Sequence, residues 1–220
     1  MPALTRDGSV HILDLGASEN RFNEDSLGEI EVCLQEVADA APCALVTSAQ
    51  GKIWSNGLDL EWLSANGEQA GAFIERLHEL FAKVLEVGVY TVAALQGHAF
   101  GAGAMLALAH DERYMRADRG YFCLPEVDLG MPFSIGMNAL VTARLPVAAA
   151  HEAMTTGRRF GGQDAAEAGI VDRAVSEAEV LPAAVARAAE LAGKNPAALG
   201  AIKQRLYHDT LAALRGPQGF

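Results

Sequence analysis

The 220-residue chain is 50% hydrophobic with a formal net charge of −11 at pH 7, enough for one sizeable core and too short for two full domains. It has 17 Lys and Arg against 28 Asp and Glu and no basic stripe of the kind that tracks phosphate backbones, which excludes nucleic acid as a partner. Cys33, Cys43 and Cys123 are odd in number, with no C-x-x-C pair and no His at metal-ligand spacing, so no metal is expected and the thiols read as reduced, packed as small hydrophobes.

The N-terminal MPALTRDGSVHILDLG has no basic region leading into an apolar one, and the terminal GPQGF is not a peroxisomal tripeptide, so the expected location is cytoplasmic. VHILDL (10–15) alternates as a strand, and GASENRFNED follows with loop chemistry. Asn23 or Asp25 can then cap a helix through about Ala40, with Leu27, Ile30, Leu34 and Val37 at three- and four-residue intervals. CALVTS (43–48) is a continuous apolar run, as expected of a strand covered on both faces. Residues 70–87 are amphipathic at the helical period, VYTVAAL (89–95) reads as the next buried strand, and GAMLALAH as the helix leaving it.

Residues 89–110 imitate a membrane span, but Gln96 and His98 beside Gly97, Gly101 and Gly103 fit strand, turn and helix better. ERYMRA and YFCL read as strands flanking a polar turn, and LGMPFSIGMNALVTARL turns helical. From residue 146 the chain is helical in character apart from GIVDRAV, with Pro182 and Pro196 where helices are expected to begin. The expected fold class is therefore α/β: a core over 1–145 and a C-terminal helical region over 146–220 of the same domain.

Three stretches combine turn chemistry with buried flanks. In WSNGLDL, Gly57 before a helix start leaves backbone N–H groups unpaired, Leu58 among them, and such donors bind an oxyanion; alternatively Asp59 merely caps a surface helix. In QGHAFGAGAML (96–106) a strand again runs into small residues, so the Ala102 N–H can approach a ligand. Two convergent donors would make an oxyanion hole, where one donor is worth about 3–4 kcal/mol in the transition state. GAGAML also imitates a dinucleotide fingerprint, with Glu126 as its acidic residue, but Leu106 stands where the third glycine belongs.

The third stretch is CLPEVDLGMP (123–132). Leu124, Pro125, Val127 and Leu129 surround Glu126, a setting that would raise its pKa and suit a proton shuttle; it also reads as an ordinary exposed Glu. Asp128 is either a second acid or a solvated neighbour. His98 is either a base or a structural imidazole bonded to backbone. Serine-hydrolase chemistry is not indicated: around Ser134, PFSIG has Pro132 in place of the first glycine, and no Ser–His pairing is evident.

In their order and separation WSNGLDL, QGHAFGAGAMLALAHD and PEVDLGMP resemble the crotonase superfamily, also called the enoyl-CoA hydratase/isomerase family, and FGGQDAAEAGIVDRAV resembles its F-x-A-x-E-A-x-x-x-G-L-V stretch. The resemblance covers most of the chain. It implies a spiral of β-β-α units whose C-terminal helices mediate homotrimers, often paired into hexamers. It also implies an acyl-CoA substrate whose thioester oxygen sits between the Leu58 and Ala102 N–H groups, with Glu126 as the catalytic glutamate. Ser55, Asn56, Gly57, Asp59, Gly101 and Met105 would surround the substrate. Coenzyme A is part of that substrate, and no separate cofactor, metal or membrane partner is expected.

Met105 departs from the hydratases of the family, which carry a second glutamate there to hold water; a thioether cannot do so. The chain is thereby most similar to the single-glutamate 3,2-enoyl-CoA isomerases of plant peroxisomes, enzymes of fatty acid β-oxidation. The alternatives are a hydratase using Asp128, another acyl-CoA enzyme of this type, or a non-catalytic acyl-CoA binder. Lys52, Lys203 and Arg205 are candidates for the CoA phosphates.

Overall fold

The computed structural model describes residues 2–217. Met1 and residues 218–220, part of the termini read above for address signals, lie outside the described residues. The first half runs β1 (Ala3–Asp7), β2 (Val10–Asp14), β3 (Arg21–Phe22), α1 (Glu24–Asp39), β4 (Ala44–Ser48), β5 (Ile53–Ser55), β6 (Gly57–Leu58), α2 (Leu60–Ala65) and α3 (Ala70–Glu86). Then come β7 (Tyr90–Leu95), β8 (His98–Phe100), α4 (Ala102–Ala109), β9 (Glu112–Arg116), β10 (Phe122–Cys123) and α5 (Ile135–Arg144). The chain ends with α6 (Val147–Thr156), α7 (Gly162–Glu167), β11 (Arg173–Val175), α8 (Glu177–Leu191), α9 (Pro196–Leu206) and α10 (His208–Arg215).

A six-stranded sheet has the order β1-β2-β4-β7-β9-β11. Only its edge pair β1–β2 is antiparallel. Alternation explains the continuous apolar run of β4: Ala44 and Val46 pack with Val180, Ala184 and Ala188 of α8, whereas Leu45 faces the larger core. In that larger core α3 contributes Phe73, Leu77, Leu80 and Phe81, and α1 contributes the expected Leu27, Ile30, Leu34 and Val37. Asn23 is the N-cap of α1, its side chain accepting from Ser26 N at 3.0 Å. Residues 89–110 become β7, β8 and α4, and no helix among the described residues is long and apolar enough to cross a membrane.

A smaller parallel sheet, β10-β8-β5, and the two-stranded β3-β6 pair stand apart from the large sheet. Their strands are two or three residues long, below the length at which periodicity marks a strand.

Two expectations are corrected. Pro196 does open α9, but Pro182 lies inside α8, which begins five residues earlier at a capping box formed by Ser176 and Glu179. Capping groups start that helix, and the exposed Pro182 only withholds one amide from it. Lys203, considered for a phosphate, is buried at 4% exposure, and its Nζ donates to Val89 O at 2.9 Å and Asp111 Oδ2 at 2.6 Å. It ties α9 to the core, since Asp111 also accepts from Thr91 N. Lys203→Met leaves the Asp111 carboxylate without its cation, and the expected cost is about 3–5 kcal/mol, read as a lower urea midpoint.

Candidate active site

The three strands of the small sheet run parallel, so their carboxyl ends lie along one edge. Past those ends the chain continues as Asn56–Gly57–Leu58 from β5, Gly101–Ala102 from β8, and Leu124–Pro125–Glu126 from β10. The edge gathers all three stretches, as parallel sheets commonly do for ligands.

The first turn is held from outside the small sheet. Ser55 has no exposed surface; its Oγ donates to Asn20 O at 2.8 Å and accepts from Gly57 N at 3.2 Å. Asn20 Nδ2 in turn donates to Ile53 O and Trp54 O. Gly57 (φ +76) then approaches the start of α4 so closely that a Cβ there would lie 2.7 Å from Phe100 O and 2.9 Å from Ala102 N. Only glycine combines that φ with that contact. Asp59 N donates to Phe22 O at 3.0 Å across the β3–β6 pair. Because successive amides of an extended chain alternate sides, the Leu58 N–H faces away from β3.

Gly101 (φ +52) turns β8 into α4, with its N–H on Cys123 O at 3.0 Å. Ala102 is the first residue of α4, so its N–H has no partner within the helix. A Cβ on Gly101 would lie 3.4 Å from Glu126 Oε1. Glu126 Oε2 is buried with no partner among the described residues, and burial pushes the carboxyl up to about 7. The Glu126 turn closes on itself through Met131 N to Glu126 O at 2.9 Å.

The remaining candidates have the following surroundings. Asp59 caps α2, accepting from Trp62 N at 3.1 Å, as in the capping alternative. Asn56 is half-buried with its Oδ1 unpartnered. Met105 has no exposed surface and belongs to the core. Asp128 is exposed and turned toward Gly157, where a Cβ would meet its Oδ2 at 2.6 Å. Lys52 and Arg205 are exposed.

His98 is not the backbone-bonded imidazole expected: its ring packs 5.1 Å from Phe100 and 5.4 Å from Tyr121, with Nδ1 unpartnered. A Ser–His pair also exists after all, between Ser134 Oγ and His78 Nε2 at 3.0 Å, although both residues lack exposed surface. Fifty-six positions separate them, so no local motif could announce it. Asn20 carries only one local signal, an asparagine in a loop, a type that tolerates positive φ, and here φ is +49. A cavity of about 1080 Å³ adjoins the first turn, lined among others by Asn20 and Phe22, which bond to that turn, and by Leu15, Glu24, Glu29 and Cys33.

The edge thus joins two amide-bearing turns to a single acid that titrates near neutrality, the equipment of an acid–base enzyme. Residues 9–217 match the enoyl-CoA hydratase/isomerase family model, and the chain belongs to that family. Its relatives include enoyl-CoA delta isomerase 2, peroxisomal, of Arabidopsis thaliana, 35% identical over 97% of this chain and 95% of that protein. Another is the carnitinyl-CoA dehydratase of Escherichia coli K12, 36% identical over 94% of this chain and 80% of that protein. Among solved structures, a probable enoyl-CoA hydratase of Mycobacterium tuberculosis H37Rv superposes with a TM-score of 0.90 at 27% identity, covering 97% of this chain and 91% of that one. The fold is that of the crotonase superfamily, and family membership displaces the dinucleotide alternative.

Proposed function

We propose that the protein is a 3,2-enoyl-CoA isomerase. The observation that carries this reading is the lone Glu126 carboxyl, unpartnered at Oε2 and raised to about 7, set against the Gly101–Ala102 turn that Gly57 abuts. Glu126 removes a proton from carbon 2 of a 3-enoyl thioester. The Leu58 and Ala102 N–H groups receive the negative charge that develops on the thioester oxygen. Glu126 then delivers the proton to carbon 4, leaving the conjugated 2-enoyl-CoA. A carboxyl titrating near 7 is poised for both transfers at neutral pH.

The carnitinyl-CoA dehydratase relatives favour a second reading, addition or removal of water. Against it stands Met105, three residues past Ala102, where no acid holds a water, while Asp128 is turned toward Gly157. Incubation with 3-hexenoyl-CoA and with 2-hexenoyl-CoA separates the two. Absorbance of the conjugated thioester is expected to rise with the first substrate and to stay constant with the second. A fall with the second and no rise with the first would establish hydration instead.

Assembly into a homotrimer, or two paired trimers, through α6–α10 belongs to the same proposal. The exposed Val147 on α6 and Ile202 and Leu206 on α9 support it as surfaces to be covered.

A further inference from the structure

The buried Ser–His pair is not used by the proton transfers, yet it sits at the exit of the turn that carries Glu126. Ser134 Oγ accepts Met137 N–H at 3.2 Å as the N-cap of α5 and lies 3.0 Å from His78 Nε2 of α3. Burial alone pulls the imidazole down to about 4, so it is neutral at working pH. Ser134 Oγ and His78 Nε2 share one hydrogen bond, made by the hydroxyl proton or by the ring proton according to the tautomer. That Nδ1 is buried with no partner among the described residues. In either tautomer an orphaned buried polar atom lowers stability, and a fold that keeps one invites an explanation other than stability.

The explanation lies in what ties the turn to the elements around it. Residues 127–132 are all exposed. The entrance of the turn is fixed by paired backbone bonds between Phe122 and Phe160 at 2.9 Å and by Cys123 Sγ donating to Gly157 O at 3.2 Å. On the exit side the bonds from Asp128 N and Leu129 N to Pro125 O and from Met131 N to Glu126 O stay within the turn, and the chain passes through Pro132 and the core-packed Phe133 to Ser134, whose side chain reaches α3.

We propose that His78 and Ser134 are positioning residues: their hydrogen bond bolts the exit of the Glu126 turn to α3 and so keeps the Glu126 carboxyl in its dry place against Gly101. This rests on Glu126 as the proton shuttle. The titratable neighbour of Glu126 on β10 is Cys123, whose thiol is pushed up to about 11 by burial and stays neutral, with Arg159 and Asp128 also acting on that thiol.

Three variants test it. His78→Phe keeps an aromatic ring without the hydrogen bond, His78→Gln keeps an amide that can reach Ser134, and Ser134→Gly removes the hydroxyl while glycine remains tolerated at an N-cap. In His78→Phe and Ser134→Gly, water reaching the loosened turn is expected to lower the Glu126 carboxyl by about one pH unit, titrated directly by 13C NMR without substrate. Isomerisation kcat is expected to fall about tenfold, equivalent to about 1.4 kcal/mol, with KM little changed and the acid limb of the pH profile moving with the carboxyl. His78→Gln is expected to restore both.

An unmoved carboxyl titration with unchanged kcat in the folded variants overturns the proposal; if His78→Phe does not fold, Ser134→Gly decides. The titration needs no turnover, so it judges the bolt separately from the shuttle. Retained activity in Glu126→Gln would sink the shuttle alone.

Discussion

Glu126→Gln is expected to abolish double-bond transfer, with kcat down by at least the 10²–10⁴-fold typical of a positioned acid–base group, while the variant still binds acyl-CoA. The amide keeps the shape of the side chain and cannot carry the proton. In the wild-type protein the base must be ionised, so turnover should rise with pH through about 7.

The same shift makes a stability prediction of opposite sign. Burial disfavours the charged form, so the folded pKa lies above the ordinary 4.5. The native state therefore has its full stability from this group below about pH 4.5 and loses it as pH rises through about 7. From the size of the shift the loss is up to about 3 kcal/mol. Glu126→Gln should accordingly be more stable than the wild-type protein at pH 8 and equal to it at pH 4, measured by urea unfolding at both. A variant that is inactive yet no more stable at pH 8 would mean the carboxyl is better hydrated than its burial implies.

Gly57→Ala is expected to produce the second large effect. A methyl there would lie 2.7 Å from Phe100 O and 2.9 Å from Ala102 N, on backbone that cannot swing away as a flexible side chain would. The φ of +76 adds strain of about 1–2 kcal/mol for any L side chain. To relieve both, the β5 turn must withdraw from the start of α4 and carry Leu58 away from Ala102. Loss of one oxyanion donor costs about 10²–10³ in kcat, and that is the fall expected, with a lowered melting temperature. Near-normal turnover in a folded Gly57→Ala protein would show that the two amides do not act together.

Where apolar spacing and caps coincide, the sequence alone placed the helix and narrowed its cap to Asn23 or Asp25. α1 begins at Asn23 and buries Leu27, Ile30, Leu34 and Val37 as their spacing requires, because a 3.6-residue period and a capping side chain are local properties. β4 and β7 are legible for a related reason: both faces of their strands are covered, which demands unbroken apolar runs. The order of the three glycine- and acid-bearing stretches was also enough to reach the family.

What the chain hides is whatever depends on partners far along it. Lys203 is a phosphate candidate by sequence, whereas α9 places it against Asp111, 92 positions earlier. Pro182 looked like a helix start because proline's preference for that place is local, whereas the groups that begin α8 lie upstream.

The acid itself shows the division most clearly. The apolar neighbours of Glu126 suggested a raised pKa, but flanking residues do not say which way a side chain points. Its desolvation arises where β10 pairs with β8 and sets the carboxyl beside Gly101, 25 positions earlier in the chain. Sequence determined which residues are small, apolar or acidic and in what order. Only the packing of distant strands decided which polar groups lost their water, because desolvation is a property of everything that surrounds an atom.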